Sequence, residues 1–409
     1  MKVIYFHQHF CTPKGSTGTR SYSMSKRLLQ RGHSVSVVCG SFVGADTGLE
    51  GPFKKGLRRG FVDGIDVIEL DLSYGNSDGF FKRTSVMFRY FIRAVGLVFT
   101  EKYDLVFATS TPLTAGIPGI VARWLRGKPF VFEVRDLWPE LPKAMGVINN
   151  PLILSLMSVL EWVSYHSANH LVALSPGIAD GIQRRGVSTN GITLIPNGCD
   201  FDIFGSKVAG WKPKECRPGE FLALFSGTHG VANNLDSIID AALELRMRRR
   251  GDIKIILVGQ GGRKQHLVDR VRNEGLDNII FHNPVSKLKL AGLMISADIG
   301  LQVLANIPAF YYGTSPNKFF DYISAGLPVL NNYPGWLADM IEANNCGFVV
   351  EPESPSQFAD ALEKAADNKK LLSIMGSNST FLAKNEFNRD DLADKWVICL
   401  ECTYRDYRG

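Results

Sequence analysis

Residues 311–329, YYGTSPNKFFDYISAGLPV, contain a complete helix followed by the start of a β-strand. Ser315 is a good helix N-cap, and Pro316 suits a first helical turn. Aromatic and aliphatic residues then recur at helical spacing until Gly326 and Pro328 end the helix. A helix that leads directly into a short apolar strand is the repeating unit of α/β folds.

The same alternation extends over the whole chain and predicts an α/β fold of two parallel, doubly wound, Rossmann-like domains. Periodicity is lost around residues 200–219, where glycine, proline and mixed charge are typical of a linker. We therefore predict domains at residues 1–200 and 201–375, with a helical tail, 376–409, that packs back on the first domain. The predicted strands are residues 2–6, 34–39, 65–70, 104–108, 129–134, 171–174 and 192–195, then 221–226, 253–258, 278–281, 298–303, 327–331 and 347–350.

The composition is that of a folded globular protein. The 409 residues are 45% hydrophobic and 21% charged, which excludes wholesale disorder. The net charge of +6 permits anionic partners. The longest apolar stretch, residues 86–99, is interrupted by Arg89 and Arg93 and is too short to span a bilayer. The first residues lack the features of a signal peptide and predict a β-strand.

The cysteines and histidines give no metal signature. The seven cysteines are scattered, which is typical of free thiols in a reducing cytoplasm. Cys399 and Cys402 form a lone C-x-x-C without the further ligands that zinc needs. His7 and His9 lie on one side of the first strand and are not part of an H-E-x-x-H pattern. The sequence predicts no metal and no cofactor.

The helix start at Asn317 and Lys318 is a candidate anion site. Backbone N–H groups in a first helical turn attract anions, and the Lys318 charge would assist a diphosphate. Asp321 lies one turn further and could accept hydrogen bonds from a ribose diol. The alternative is a capped structural helix with a solvated lysine.

Two glycine-rich turns follow predicted strands. Residues 259–264, GQGGRK, lack the third glycine of a dinucleotide loop, but Arg263 could reach a diphosphate through its side chain. Residues 13–20, PKGSTGTR, follow the first strand, and their glycines let the backbone approach a ligand. Either turn could also be a plain connection between a strand and a helix.

Charged residues appear as soon as the predicted strand at 129–134 ends. They are Glu133, Arg135, Asp136 and Glu140. In an open sheet this places them at the ligand-binding edge, where a carboxylate could orient or deprotonate an acceptor hydroxyl. The alternative is an arginine–carboxylate ion pair that closes the strand.

Residues 80–99 combine aromatic and basic residues and contain no acid, and a second basic cluster lies upstream at residues 54–59. Basic residues beside an apolar face suit attachment to an anionic membrane surface. The alternative is an ordinary domain helix with a buried apolar face. The basic residues of the segment are Lys82, Arg83, Arg89 and Arg93.

Three stretches, FHQHFCTPKGSTGTRSYSMSKRLLQRGHSVSVVCG, VRDLWPE and SPNKFFDYISAGLPV, resemble the retaining glycosyltransferases of family GT4, or group 1. The resemblance covers essentially the whole chain and implies a GT-B fold, with two Rossmann-like domains facing across a cleft. The sequence is most similar to the bacterial surface-polysaccharide branch that transfers N-acetyl-L-fucosamine or related amino sugars. The resemblance implies a UDP-sugar donor, an undecaprenyl-diphosphate-linked glycan as acceptor, and a peripheral place on the inner face of the plasma membrane.

The resemblance also implies roles for single residues. The stretch matching Thr314 to Lys318 would offer N–H groups to the diphosphate, Asp321 would bind the ribose, and residues 283–285 would lie against the base. The loop at residues 15–18 would close over the diphosphate from the first domain. With the motifs above, the candidate donor-binding residues are Gly15, Ser16, Thr17, Gly18, Arg20, Gly227, Thr228, His229, Arg263, Lys264, Asn283, Val285, Thr314, Ser315, Pro316, Asn317 and Asp321.

The chain departs from the family pattern in two places. Gly313 and Asp321 stand where the family often has Glu-x7-Glu, and Thr228 and Asn233 stand where it usually has arginine and lysine. The cations left for the diphosphate are Arg263, Lys264, Lys318 and Arg20, together with helix N-termini.

The family transfers sugars with retention, and stabilising the leaving diphosphate is the main catalytic task. Lys318 is the candidate for that task, and Asp136 with Arg135 is the candidate for positioning the acceptor. Two alternatives share the fold. One is a UDP-sugar 2-epimerase, and the other is a non-catalytic polysaccharide-assembly protein.

Overall fold

The computed structural model describes residues 1–75, 78–205 and 208–409, without the side chains of Phe80 and Arg83. The chain divides into two compact units. Unit 1 consists of Met1–Asn197, Tyr312–Ser315 and Arg389–Gly409, and unit 2 consists of Gly198–Tyr311 and Pro316–Asn388. Residues 376–388, which we predicted as part of the tail, therefore belong to unit 2.

The described part of unit 1 is built on one eight-stranded sheet with the order β3-β4-β2-β1-β5-β6-β7-β8. All neighbouring strands are parallel except β3 and β4, which confirms the predicted α/β class. The central strands β1, β5 and β6 are buried on both faces, as expected under two layers of helices. The strands are β1 (Lys2–Phe6), β2 (Ser34–Phe42), β3 (Leu57–Val62), β4 (Ile65–Tyr74), β5 (Leu105–Thr109), β6 (Phe130–Val134), β7 (His170–Ala173) and β8 (Ile192–Leu194).

Helices cover this sheet, and the last helix of the chain is one of them. Trp396 in that helix is fully buried against the rings of Tyr5 and Phe107, which lie on β1 and β5. Arg27 also pairs with Asp394. The unit 1 helices are α1 (Arg20–Gln30), α2 (Phe80–Thr100), α3 (Ile117–Leu125), α4 (Glu140–Ala144), α5 (Pro151–Ser167), α6 (Pro176–Arg184) and α16 (Arg389–Arg408).

Strand β3 is absent from the predicted strands, because its arginines belong to the basic cluster at residues 54–59. Arg58 donates to Glu69 on the neighbouring strand β4. Arg59 donates to Asp66, also on β4, and to Glu101. Cross-strand ion pairs therefore neutralise these two arginines. The edge strand contains too few apolar residues to show the alternation of apolar and polar residues that predicts a strand.

The described part of unit 2 contains a six-stranded parallel sheet with the order β11-β10-β9-β12-β13-β14. Strand β9 is buried along its whole length at the centre of the sheet, which is the pattern of a doubly wound fold. The strands are β9 (Phe221–Ser226), β10 (Ile253–Val258), β11 (Ile279–His282), β12 (Ile299–Gln302), β13 (Val329–Asn331) and β14 (Gly347–Val349).

The predicted linker at residues 200–219 is partly structured and begins inside unit 2. Residues 201–204 form a short helix, in which Ile203 and Phe204 are buried, and Trp211 donates its indole N–H to the backbone oxygen of Lys289. The helices of unit 2, with α11 belonging to it as far as Tyr311, are α7 (Phe201–Phe204), α8 (Asp236–Met247), α9 (Lys264–Asn273), α10 (Lys287–Ser296), α11 (Pro308–Gly313), α12 (Asn317–Ser324), α13 (Trp336–Ala343), α14 (Pro355–Asp367) and α15 (Lys369–Glu386).

Candidate functional site

The turns after β9 and β10 meet at the carboxyl edge of the second sheet, because the two strands are parallel neighbours. The His229 N–H donates to the backbone oxygen of Gln260 over 3.0 Å, and the Arg263 N–H donates to the backbone oxygen of His229 over 2.9 Å. A Cβ at position 261 would lie 2.4 Å from the backbone oxygen of His229, so only glycine fits there. The turns after β9 and β10 therefore form one hydrogen-bonded backbone surface.

Lys318 lies at this surface, in the first turn of α12. Its Nζ donates to Asn233 Oδ1 over 2.7 Å and sits 4.5 Å from the centre of the Phe225 ring. Asn233 in turn donates to the backbone oxygen of Thr228 over 2.7 Å. Burial lowers the pKa of the Lys318 ammonium to about 7, because its neighbours are neutral.

Lys264 is the second cation of this surface. Its Nζ donates to the backbone oxygen of Gly259 over 2.9 Å and to Asn283 Oδ1 over 3.0 Å. Burial lowers the pKa of this ammonium as well. Lys264 therefore joins the turn after β10 to the turn after β11, where Asn283 is exposed and Val285 is half-buried. These are the residues that we predicted to lie against a base.

The start of α12 differs from the sequence prediction. The helix begins at Asn317 with Pro316 as N-cap, and no side chain caps it. Ser315 was predicted as the cap, but its Oγ accepts from the backbone N–H of Asn197 over 3.1 Å, within unit 1. The first-turn N–H groups of Asn317 and Lys318 have no intrahelical acceptor, as at any helix start, and suit an anion.

Asp321 is buried on α12, and its carboxylate accepts a hydrogen bond from Lys287 Nζ. Lys287 is itself buried and lies 5.5 Å from the centre of the Phe204 ring. The sequence analysis missed Lys287, since a single lysine at the start of an apolar helix carries no spacing signal. The predicted contact of Asp321 with a ribose stays a prediction.

Arg263 is held by a carboxylate. Its guanidinium donates to Asp236 over 3.1 Å, and His266 and Arg270 donate to the same carboxylate. Although burial alone raises the pKa of Asp236, these hydrogen bonds bring it below its usual value. Arg263 is thus partly neutralised before any ligand binds.

His229 lies inside the turn after β9 and is fully buried. Neither of its ring nitrogens has a hydrogen-bond partner among the described residues. Burial and the nearby Lys264 charge lower its pKa to about 4. The imidazole is therefore neutral at physiological pH and packs near the rings of Phe225 and Phe281.

Arg20 in unit 1 was predicted as a cation for the diphosphate, but it lies in a buried ion pair. The side chains of Arg20 and Glu133 are 1% and 0% exposed, and the guanidinium donates twice to Glu133 Oε2, over 3.0 and 2.8 Å. It also donates to the backbone oxygens of Pro196 and Ile195, over 2.6 and 2.9 Å. Arg20 is therefore a structural cation and is not free for a diphosphate, and Glu133 is equally occupied.

Asp136 follows β6 and accepts a hydrogen bond from Thr111 Oγ over 2.8 Å. Burial raises the pKa of this carboxyl although the hydrogen bond from Thr111 and the charge of Arg135 oppose the shift. Thr111 has a positive φ of 82°, which is a strained conformation for a β-branched residue. The role of Asp136 in positioning an acceptor stays a prediction. Glu140, the last residue of the predicted charged cluster, is exposed and pairs loosely with Arg184.

The loop at residues 15–18 follows β1 in unit 1. The N–H of Ser16 donates to the backbone oxygen of Gly44 over 2.9 Å, and its Oγ donates to the same oxygen over 2.9 Å. A Cβ at position 15 would lie 2.3 Å from Cys11 Sγ, so Gly15 is required for packing. The hydroxyl of Thr17 is buried without a described partner. Gly18 is half-buried.

The described basic residues of α2 differ in their exposure and in their partners. Arg89 is exposed, and Lys82 pairs with Asp78 over 2.8 Å. Arg93 was predicted to face a membrane or acceptor, but it donates to the backbone oxygen of Gly56 over 2.9 Å and so binds the turn before β3. The side chain of Arg83 lies outside the described residues.

No group of histidine, cysteine and acidic residues that could hold a metal ion occurs among the residues that the structure describes. Among the described residues the cysteines form no disulfide, and Cys399 and Cys402 lie one turn apart in α16. The expectation of a reaction without metal stays a prediction. In the same described ranges, no helix is long and apolar enough to cross a membrane.

Comparison with protein families identifies the class. The family described as "Glycosyl transferase 4-like domain" matches residues 15–198, and "Glycosyl transferases group 1" matches residues 211–380. Together they match most of the chain, which therefore belongs to the GT4, or group 1, glycosyltransferases of GT-B fold. The N-acetyl-L-fucosamine branch is a finer assignment than these matches support.

The chain is similar to the D-inositol 3-phosphate glycosyltransferase of Paenarthrobacter aurescens (strain TC1), with 27% identity over 221 residues. The match covers 51% of this chain and 52% of the relative, so the chain spans about half the length of that relative. A second similar protein is the uncharacterised glycosyltransferase MJ1069 of Methanocaldococcus jannaschii, of which 56% is covered at 22% identity.

Solved structures share the fold over nearly the whole chain. Sucrose-phosphate synthase from Thermosynechococcus elongatus has a TM-score of 0.76 at 15% identity and covers 99% of both chains. HepE from Anabaena in complex with UDP-glucose has a TM-score of 0.68 at 16% identity, over 98% of this chain and 100% of HepE. WaaG, a glycosyltransferase involved in lipopolysaccharide biosynthesis, has a TM-score of 0.69 at 19% identity, over 97% and 98%.

Proposed function

We propose that the protein is a retaining glycosyltransferase that moves a sugar from a UDP-sugar to a lipid-linked glycan. The proposal is based mainly on one observation. Lys318 and Lys264 lie at the carboxyl edge of the second sheet, and their ammonium groups donate to neutral oxygens only, among the described residues. Cations that are partly buried without a counter-charge are prepared to bind an anion such as a diphosphate.

The surroundings of the two lysines suit a nucleotide diphosphate. The first turn of α12 offers backbone N–H groups beside Lys318, and glycine at position 261 lets the turn after β10 pack directly on the backbone of the turn after β9. Asn283 and Val285 provide a polar and an apolar contact for a base. The UDP-glucose complex of HepE, which shares the fold, supports UDP as the nucleotide.

The chemical role of this site follows from where charge develops. When the bond between the sugar and the diphosphate breaks, negative charge gathers on the leaving oxygens. Protonated Lys318 and the α12 N–H groups would stabilise it without rearranging, since Asn233 and the Phe225 ring already hold the lysine in place. Asp136, oriented by Thr111, would position the acceptor hydroxyl, and Arg135 would assist.

We further propose that the sugar is an N-acetylamino sugar such as N-acetyl-L-fucosamine. The acceptor would be an undecaprenyl-diphosphate-linked glycan of O-antigen, capsule or exopolysaccharide assembly, and the enzyme would be cytoplasmic and peripheral on an anionic membrane. Similarity of the sequence motifs to surface-polysaccharide transferases supports this finer assignment. The shared fold with WaaG is in agreement with it.

The first test is a thermal-shift panel of UDP, GDP, dTDP and ADP, with and without EDTA. A ligand that binds the folded state raises the melting temperature by mass action. We expect a shift with UDP that EDTA leaves unchanged and that Lys318→Ala removes. No shift with any nucleotide would overturn the proposed donor site.

The second test separates transfer from the other activities of this fold. Incubation with UDP-N-acetylamino sugars is expected to give a product only when a polyprenyl-diphosphate acceptor is present. A new sugar isomer formed without acceptor would establish an epimerase instead. Nucleotide binding without turnover on any acceptor would favour a non-catalytic assembly protein.

A further inference from the structure

Helix α5 in unit 1 has its apolar side turned toward solvent. Its buried residues are Glu161, Ser164, Tyr165 and Ser167, which are polar or amphipathic. Its outer side is apolar, although an ordinary surface helix shows the reverse arrangement. The large exposed side chains are Leu152 (67%), Ile153 (43%), Leu156 (62%), Val159 (57%) and Trp162 (51%).

The polar inner face of α5 is fixed by specific contacts. Glu161 pairs with Arg185, which directly follows α6, over 2.6 Å, and Ser167 Oγ accepts from the indole N–H of Trp124 on α3 over 3.0 Å. Asn150 caps the helix by accepting from the N–H groups of Leu152 and Ile153. The helix is therefore held in this orientation, and turning its apolar side inward would separate the buried Glu161 carboxylate from Arg185, whose side chain is 37% exposed.

The exposed apolar surface continues over two further helices. Helix α3 packs against both α2 and α5, and Trp124 and Leu125 at its end are 64% and 69% exposed. On α2 the exposed apolar residues fall within an arc of about 40° at 3.6 residues per turn, opposite the buried stripe of the same helix. They are Phe81, Phe88, Ile92 and Phe99. We call these side chains of α2, α3 and α5 the apolar surface.

Apart from one buried glutamate, the charged residues on the three helices are basic. The sequences of α2, α3 and α5 contain a single acid, Glu161, which is buried and paired. Arg89 is exposed on α2, and Lys82 is exposed beside Asp78. An apolar face with Trp and Phe, bordered by cations, is the pattern of a helix that lies in the interface of an anionic membrane.

We propose that the apolar surface inserts into the membrane interface, with α5 as the inserting helix. This deepens the proposed function and rests on the lipid-linked acceptor proposed there. Insertion of α5 differs from electrostatic attachment through the basic residues of α2, because α5 exposes no aspartate, glutamate, lysine or arginine side chain. Insertion buries apolar area, so a large part of the binding must survive high salt, whereas attraction of cations alone is screened.

The test is sedimentation of the full chain with phosphatidylcholine vesicles, with and without phosphatidylglycerol, at low and high salt. We expect binding to the anionic vesicles that persists at high salt. The double variant Leu156→Glu with Trp162→Glu is expected to weaken it at least about tenfold, since it removes two buried apolar side chains and adds charge. The matched control, Ile374→Glu with Phe381→Glu, changes two exposed apolar residues on α15 and should bind like the unchanged protein.

The outcomes separate this proposal from the proposed function. Both variants should keep the UDP-induced thermal shift, which shows that they are folded. No vesicle binding, or equal loss in the control, would overturn insertion and leave the donor site untouched. A dimer in sedimentation velocity that the Leu156→Glu, Trp162→Glu variant dissociates would assign the surface to a second copy and also overturn it. Vesicle binding without any nucleotide shift would instead count against the glycosyltransferase function alone.

Discussion

The cations at the carboxyl edges of the two sheets differ in whether a carboxylate already neutralises them. In unit 1, Arg20 is enclosed and donates to the carboxylate of Glu133 and to two backbone oxygens. In the described part of unit 2, Lys318 and Lys264 donate to amide and backbone oxygens that carry no charge. An arginine that a buried carboxylate already neutralises has little charge left for a ligand, whereas the two lysines keep their charge.

The same distinction holds inside unit 2. Arg263 and Lys287 lie close to the turns, but Asp236 and Asp321 already accept from them. A count of basic residues near a glycine-rich turn therefore overstates the positive charge available to a phosphate. We therefore expect cations that have a carboxylate partner to stabilise the fold, and cations without one to bind the ligand.

The largest expected effect comes from Arg20→Ala. Removing one partner of a buried ion pair leaves Glu133 uncompensated and costs about 3–5 kcal/mol of unfolding free energy. Urea unfolding measures this loss. The matched variant Arg20→Met with Glu133→Leu removes both charges and should recover most of the stability. Should Arg20→Ala remain as stable as the unchanged protein but fail to bind UDP, Arg20 would be a ligand-binding cation after all.

The next effect is on ligand binding alone. Lys318→Ala removes a charge-assisted contact to the diphosphate, and we expect UDP binding to weaken about 10- to 100-fold with little change in stability. Titration calorimetry measures the affinity. The control is Lys254→Ala, a lysine at the opposite end of strand β10 that lies 3.8 Å from Glu220. Equal losses in the two variants would mean that general charge, and not the position of Lys318, determines binding.

A third prediction concerns the backbone surface that carries the lysines. Gly261→Ala places a Cβ 2.4 Å from the backbone oxygen of His229, and we expect a loss of about 1–3 kcal/mol in unfolding free energy together with weaker UDP binding. Gly262→Ala is the neighbouring control, because its Cβ would meet no atom within 4 Å. Thermal unfolding with and without UDP compares the two. Similar behaviour of both variants would contradict the close packing of the two turns.

The comparison also shows what the sequence could predict. The periodicity of short apolar strands and helices was enough for the α/β class and for two parallel sheets, since each core strand is apolar along its length. Strand β3 was missed because arginines that pair across the sheet hide its alternation. The pairing of Arg20 with Glu133 was equally invisible, because the two residues lie 113 positions apart and meet only in the folded sheet.

Residues of the candidate site were predictable only where a local sequence pattern marks them. Glycines after strands and a lysine at a helix start are local signals, and they led to residues 259–264 and Lys318. The buried Lys287 and the strained Thr111 have no such signal, because burial and backbone conformation arise from distant parts of the chain. Ser315 was assigned as a cap by residue type, but its hydroxyl is taken by Asn197.

The smallest and most specific effect is a dependence on pH. The pKa of Lys318 is lowered to about 7 in the free protein, and a bound diphosphate would raise it by favouring the ammonium form. Affinity for a UDP-sugar, whose own charge is constant in this range, is therefore full below pH 7 and falls as the pH rises above 7. Between pH 7 and pH 8 we expect a decrease of up to about fivefold, because half of the lysine is protonated at pH 7 and about a tenth at pH 8, and binding must then take up a proton.

The matched variant is Lys318→Arg, which stays protonated and should bind UDP-sugar with an affinity that no longer changes between pH 7 and pH 8. His229 cannot cause the dependence, because its pKa of about 4 keeps it neutral throughout this range. Titration calorimetry in buffers of different ionisation enthalpy would count the protons taken up. If the slope persisted unchanged in Lys318→Arg, a group other than Lys318 would take up the proton, and the anion would not depend on the ammonium at the start of α12.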